Sequence, residues 1–317
     1  MTRHLILGHG FIGHKLALRL AGMGLPVRTL GHGAPPANLP GNIDWINADI
    51  RNGSALDHAL SDAGIVYHLF SATVPSSAEQ NPLLDQEGNV ALTLELLGRA
   101  VKAGVRKLVF MSSGGTVYGV PQYLPIPETA ATHPISIYGA SKLAIENYLH
   151  CYQHLYGLDY TVLRLSNPYG EGQRLDRKQG AITTFMAKAV NGEEITIWGD
   201  GGVVRDYLHV DDVIEALVVA AHATTRERVF NIGSGIGMSL NEILAAMQPL
   251  FSEPLTVRYL ESRPFDVRAN VLDISRAREQ LGWHPRIQLS EGLGRLLEWM
   301  RSPIDSPEDA RGGRLPA

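Results

Sequence analysis

Short apolar runs alternate with helix-period segments as far as Leu165, and this alternation limits the fold more tightly than any other feature of the sequence. Leu5-Ile6-Leu7, Val27 to Leu30, Ile43 to Ala48, Ile65 to Phe70, Lys107 to Met111 and Tyr160 to Leu165 each read as a strand. Between them, Ile12, Leu16 and Leu20 recur on one helical face, as do Val90, Leu94, Leu97 and Val101. A further helix runs from about Tyr138 to Tyr156. Strands that are apolar throughout, not just at every second residue, must be covered on both faces. The pattern predicts an α/β fold built on a doubly wound parallel sheet.

After Asn167 the rhythm changes. A Pro-Tyr-Gly turn leads through a polar stretch, Glu171 to Gln179, into a helix from Ala181 to Val190. Short strands at Ile195–Trp198 and Leu255–Tyr259 then mix with helices around 211–222 and 240–248. The expected organisation is a main sheet domain over residues 1–167 and a smaller C-terminal α/β substrate region over 168–301. The second is partly interleaved with the first and closes over the sheet's carboxyl edge. Residues 302–317 lack periodicity and read as a disordered tail.

A chain of 317 residues is long enough for both regions. Its net charge of -4 offers no attraction to nucleic acid or a membrane surface, and no apolar stretch approaches a membrane span. With one cysteine, Cys151, a disulfide framework is impossible and a reducing compartment fits. Cys151 itself reads as a small, partly buried helix residue, since no base motif surrounds it. The N-terminus, Met1-Thr2-Arg3-His4, enters the first strand without the apolar segment of a secretory signal. The expectation is a cytoplasmic protein with neither a nucleic-acid nor a membrane partner.

Two short motifs carry chemistry. Gly8-His9-Gly10-Phe11-Ile12-Gly13 follows the first strand and opens the first helix, where glycines let backbone N–H groups approach a pyrophosphate. Asp49 and Ile50, ending the third strand, are placed to hold an adenine by a hydrogen bond and an apolar face. The tip of the second strand usually carries an acid for the ribose of NAD. Here it reads Gly31-His32-Gly33, so NAD and NADP both stay open, and His32 is a candidate to face a 2'-phosphate. His4, His9, His14 and His32 match no metal spacing and read as scattered surface or loop histidines, so no metal site is expected. Tyr138 and Lys142 stand at i and i+4 on one helical face, just beyond the fifth strand. A phenol there becomes a base at neutral pH only if an ammonium or another cation stabilises its anion.

Further segments stand in a specific order with these: Ser112-Ser113-Gly114-Gly115-Thr116-Val117-Tyr118-Gly119, Leu163 to Gly170, and Val204 to Asp212. Together they resemble the extended short-chain dehydrogenase/reductases, in the UDP-galactose 4-epimerase-like, nucleotide-sugar branch. The resemblance runs from about residue 4 to about residue 300. It implies a Rossmann domain with a C-terminal nucleotide-sugar domain, NAD as cofactor, a nucleotide-sugar substrate and a homodimer. It also implies roles residue by residue. Phe70, Ser71, Ala72 and Asn89 join the glycine loop, His32, Asp49, Ile50, Tyr138 and Lys142 around the cofactor. Asn167 is similar to a diphosphate contact, Arg205 and Arg263 to nucleotide-side arginines, and Asp266 to a residue near the uridine ribose. Asn270 stands where the family reads the hexose 2-substituent, and an asparagine there suggests that 2-N-acetyl sugars are accepted.

Two departures stand out. Leu7 replaces the first glycine of the family's usual run, and Gly114 replaces its active-site Ser or Thr. Ser113 and Thr116 are the neighbouring hydroxyls that can stand in, with Thr116 favoured. Members that dehydrate the sugar carry an Asp-Glu pair where this chain has Gly115 and Thr116, which cannot move a proton at carbon. The resemblance therefore implies an NAD-dependent 4-epimerase with Tyr138 as base. An NADP-dependent 4-ketosugar reductase is the nearest rival, and a non-catalytic dinucleotide sensor a remote one.

Overall fold

The first strand, β1 (Arg3–Leu7), is buried from His4 to Leu7 on both faces, as a central parallel strand must be. Five more strands follow the sequence pattern: β2 (Val27–Gly31), β3 (Ile43–Asn47), β4 (Ala63–His68), β5 (Lys107–Ser113) and β6 (Asp159–Leu165). After them come β7 (Asn167–Tyr169), β8 (Ile195–Trp198), β9 (Val204–His209), β10 (Val229–Ile232), β11 (Gly237–Ser239), β12 (Val257–Leu260) and β13 (Ala269–Asn270). The helices of the first half are α1 (Phe11–Gly22), α2 (Gly53–Leu60), α3 (Pro75–Gln80), α4 (Pro82–Asp85), α5 (Leu92–Lys102) and α6 (Ile137–Tyr156). Those of the second half are α7 (Ala181–Val190), α8 (Val210–His222), α9 (Leu240–Met247), α10 (Ser275–Leu281) and α11 (Leu289–Arg301). A π-helical stretch, Gln86–Ala91, joins α4 to α5. The computed structural model describes residues 2–36, 39–175, 180–261 and 267–302. The expected tail, apart from Ser302, and two candidate substrate contacts, Arg263 and Asp266, lie outside the described residues.

Seven parallel strands form the main sheet in the order β10-β6-β5-β4-β1-β2-β3. The order reverses between β1 and β4, which opens a crevice at the carboxyl ends of those strands. One apolar layer packs α1 and α8 on one face through Leu16, Leu20, Val213 and Leu217. The other packs α2, α5 and α6 through Leu56, Leu97, Ile145 and Leu149. The seventh strand, β10, returns to this sheet from far beyond Asn167, and α8 comes with it. A four-stranded sheet of β7, β9, β11 and β13 and the β8–β12 pair make up the smaller region, with their own core around Met186, Ile243 and Leu296.

The sequence reading missed β7, β9, β10, β11 and β13, and two of its residue expectations need correction. His4 is no surface histidine: it is 1% exposed in β1, with Nδ1 3.1 Å from the Tyr67 hydroxyl. Cys151 lies on α6 as expected but is exposed.

Candidate active site

Three glycines shape the start of the cleft. A Cβ on Gly8 (φ 108°) would lie 2.5 Å from the Phe70 nitrogen, and one on Gly13 would lie 2.0 Å from the Gly8 carbonyl oxygen. Without those Cβ atoms α1 can lie close against the ends of β1 and β4. Gly10 is the N-cap of α1 and has open space before it, so the free N–H groups of the first turn face the cleft. Phe11 and Ile12 line the same wall. The cleft, about 2600 Å³, continues past His32, Asp49 and Ile50 at one end and past Phe70, Ser71 and Ala72 in the middle. Asp49 is already engaged: Arg51 Nε donates to both of its carboxylate oxygens at 3.0 Å. Arg51 holds that carboxyl down to about 2.

Helix α6 brings the tyrosine and the lysine to the cleft floor. Its start is set by Ser136, whose hydroxyl accepts from the Gly139 N–H at 3.1 Å, and its end by Gly157 (φ 72°). Gly139, Lys142, Ile145, Glu146 and Leu149 form the buried stripe that seats it on the sheet. Within that stripe Glu146 and Arg164 make a buried ion pair, with Arg164 Nη2 donating at 2.6 Å. Arg164 also donates to the Tyr118 hydroxyl at 2.9 Å. This network ties α6 to β5 and β6, and so fixes Tyr138 and Lys142 beside the end of β5.

Lys142 Nζ donates to the Met111 carbonyl at 3.1 Å and lies 5.5 Å from the centre of the Tyr138 ring. Burial pushes the ammonium down to about 8, against the charges of Asp85 and Glu146, which favour it. Burial likewise pushes the Tyr138 phenol up to about 12, opposed by the Ser71 hydroxyl. Asp85, fully buried, accepts from Asn89 Nδ2 at 2.9 Å and from the Thr73 and Ser141 hydroxyls. Nothing in the sequence marked this acid, because its burial follows only from the packing of α4 against α6.

Strand β5 ends at Ser113, and the turn after it is closed by the N–H groups of Thr116 and Val117 donating to the Ser113 carbonyl. Ser113 and Thr116 both line the cleft. The Thr116 hydroxyl is buried and has no hydrogen-bond partner. Gly114 faces away: a Cβ there would lie 2.6 Å from Leu272 Cδ1 and 3.0 Å from the Arg164 carbonyl oxygen. The serine usual in the family has no room. Gly114→Ser is therefore expected to destabilise the fold by about 1–3 kcal/mol, the usual cost of overpacking. Urea midpoints check this, and the cost should shrink when the same change is made in a Leu272→Ala background.

Asn167 and Arg205 line the far side of the cleft. Asn167 Nδ2 donates to the Asp206 carbonyl at 2.9 Å, and Arg205 Nη1 to the carbonyls of Val204 and Val267. Two candidates are corrected. Asn89 is 3% exposed and lies behind the cleft wall: its Oδ1 accepts from the Ala72 N–H at 2.8 Å, so it braces Ser71 and Ala72. Asn270 is 1% exposed and sits behind Gly114, whose carbonyl accepts from its Nδ2 at 3.2 Å. Its Oδ1 is buried without a hydrogen-bond partner, and the side chain does not line the cleft. Across the cleft, Lys15 bonds Glu171 at 3.1 Å and Asp211 at 3.0 Å, and Arg295 bonds the same two carboxylates. Burial works against the Glu171 charge, but the His209 ring and Lys15 outweigh it and hold the carboxyl well below its usual range. The two cations make this cluster an ionic junction between α1, α8 and α11.

A doubly wound parallel sheet with a glycine loop at its reversal point and a Tyr–Lys pair beside it defines a dinucleotide-dependent enzyme. The model of the NAD dependent epimerase/dehydratase family matches residues 4–233, and the chain belongs to that family. The UDP-glucose 4-epimerase of Mycolicibacterium smegmatis is 34% identical over 302 residues, 92% of this chain and 96% of that one. The structure of UDP-glucose 4-epimerase from Thermotoga maritima with UDP-glucose superposes with a TM-score of 0.88 at 35% identity, covering 95% of this chain and 99% of that one. A Thermus thermophilus UDP-glucose 4-epimerase in complex with NAD gives 0.87 at 31% identity, covering 96% and 100%.

Proposed function

We propose that this protein is an NAD-dependent nucleotide-sugar 4-epimerase, acting on a UDP-hexose or a UDP-N-acetylhexosamine through a transient 4-keto sugar. The observation that carries this reading is the site at the end of β5: Tyr138 over Lys142, an unpartnered Thr116 hydroxyl, and no carboxylate at Gly115 or Thr116. The residues fit a dinucleotide, since the first-turn N–H groups at Gly10 open on space that a Cβ at this position would narrow. When bound, NAD supplies the acceptor for the C4 hydride. Lys142 holds Tyr138 as the phenolate, which takes the 4-hydroxyl proton and becomes the neutral phenol, and Asn167 and Arg205 hold the nucleotide side. The keto sugar then turns, and Tyr138 returns its proton once C4 has been reduced on the other face. Dehydration is disfavoured, because it needs an acid and a base at positions 115 and 116.

The same reading gives a cytoplasmic homodimer, with Leu155 (64% exposed) and Tyr156 (58%) at the end of α6 as part of the apolar surface for a second copy. Among the described residues no helix is long and apolar enough to cross a membrane. The test is a panel of UDP-, dTDP- and GDP-sugars with products resolved by NMR. Interconversion of C4 epimers without added cofactor supports the proposal. Product that appears only with stoichiometric reduced cofactor and a 4-keto sugar would replace it with a reductase. Lys142→Ala should also weaken NAD affinity, about tenfold for one lost charged hydrogen bond, read by fluorescence titration.

A further inference from the structure

Asp85, Lys142, Glu146 and Arg164 are all buried around the inner face of α6. Taking a charge out of water is costly unless an opposite charge matches it. Glu146 is matched by Arg164: its carboxylate oxygens accept from Nε at 3.1 Å and from Nη2 at 2.6 Å. Among the described residues no cation bonds Asp85 in this way. Its carboxylate accepts from Asn89 Nδ2 at 2.9 Å and from the Thr73 and Ser141 hydroxyls. These are three neutral donors, which satisfy the oxygens and leave the charge uncancelled.

Lys142 is the remaining cation. It follows Ser141, the residue that donates to Asp85, on the same helix. Its Nζ bonds only the neutral Met111 carbonyl and lies 4.9 Å from the centre of the Phe110 ring and 5.5 Å from that of Tyr138. The other groups around it bring no free anion. Burial and the Lys142 charge hold His68, on β4, neutral, and Glu146 is spent on Arg164. Burial works against the ammonium, and of the two acids that oppose this, Asp85 acts more strongly than Glu146. The buried charges therefore close two by two, Glu146 with Arg164 and Asp85 with Lys142.

We propose that Asp85 is a positioning residue of the epimerisation: its buried carboxylate is the counter-charge that keeps Lys142 an ammonium, ready to hold the Tyr138 phenolate. The proposal rests on the epimerase reading of the site and deepens it. Lost activity alone would not test it, because Asn89 links Asp85 to Ser71, and a loosened network could slow the enzyme as well. The ionisation of Lys142 is the discriminating quantity. The full chain is prepared with isotopically labelled lysine, and the Lys142 Cε resonance, identified by its loss in Lys142→Arg, is titrated by NMR beside the pH profile of kcat. Asp85→Asn should lower the Lys142 midpoint by about 1 pH unit or more, since an ammonium loses a neighbouring anion. The alkaline limb of kcat should move down with it. Ser141→Ala deletes one hydrogen bond and keeps the charge, so it should move the midpoint by a small fraction of that. Asp85→Ser also removes the charge, and serves if the amide, set against the Asn89 donor, does not fold. An unmoved midpoint in a folded variant without the charge would overturn the proposal and leave the epimerase reading standing. An equal shift in Ser141→Ala would overturn it too, by showing that packing sets the midpoint. A lowered midpoint in a protein that epimerises no sugar would keep the charge coupling and overturn the epimerase reading.

Discussion

Tyr138→Phe is expected to lower kcat by about 10²- to 10⁴-fold, the range for a positioned general base, while nucleotide-sugar binding barely changes. The change deletes one oxygen and keeps the ring that packs beside Lys142, so the fold has no reason to suffer. The size of the effect follows from how far the phenol is from ionising by itself. Burial pushes it up to about 12, and bringing it to neutrality needs roughly 7 kcal/mol of anion stabilisation. Two cations are available, the Lys142 ammonium and the positive ring of oxidised nicotinamide, and neither is of use to a phenylalanine. The pH profile carries the same signature. Lys142, pushed down to about 8, is charged below that pH and neutral above it, so its support for the phenolate is present below about 8 and fades as the pH rises. An alkaline limb near pH 8 should appear in kcat and vanish in Lys142→Arg, because a guanidinium stays protonated. Turnover near wild type in Tyr138→Phe would take Tyr138 out of the mechanism altogether.

Much of the main sheet could be read from the chain, and the reason is burial. β1, β4 and β5 are buried on both faces along almost their whole length, so their runs stand out whatever lies around them, whereas β3, at the sheet edge, is only partly buried. β9 does not stand out, because its sequence, Val-Arg-Asp-Tyr-Leu-His, looks polar. Asp206 is nevertheless fully buried, its carboxylate accepting from the N–H groups of Ser234, Gly235 and Leu272. All three donors come from distant segments, and a single strand gives no hint of them. The seventh strand, β10, has only four residues and pairs with β6 across a long excursion of chain. The site shows the same division. The glycine loop, Tyr138 and Lys142 are local patterns and could be found. Asn89 and Asn270 were assigned to ligands, yet each turned its amide into the protein, towards Asp85 and Gly114 respectively. Trp45 gives no signal in the sequence, since the approach of its ring to within 2.7 Å of where a Gly31 Cβ would stand exists only once β2 and β3 are paired.

Thr116→Val is expected to lower kcat by about 10²- to 10³-fold, the loss typical of one transition-state donor, with the fold intact. As the 4-hydroxyl is oxidised, its oxygen needs a hydrogen bond besides the one to Tyr138. The family supplies it from a serine at the place of Gly114, and here Leu272 and the Arg164 carbonyl close that place to any side chain. The hydroxyl must come from a neighbour on the same turn. Ser113 and Thr116 both line the cleft, but they differ in what holds them. The Thr116 hydroxyl is buried without any partner, which costs free energy unless a ligand completes it. Had it satisfied a carbonyl of its own turn, it would be a structural group; instead its N–H closes the turn to Ser113 and the hydroxyl stays available. Valine keeps the shape and removes the donor, so unfolding midpoints should hold while turnover falls. Ser113→Ala should be milder, because the strand end it occupies is already fixed by backbone bonds. Measured separately, the two variants settle the choice. Normal turnover in Thr116→Val beside a crippled Ser113→Ala would assign the oxyanion contact to Ser113.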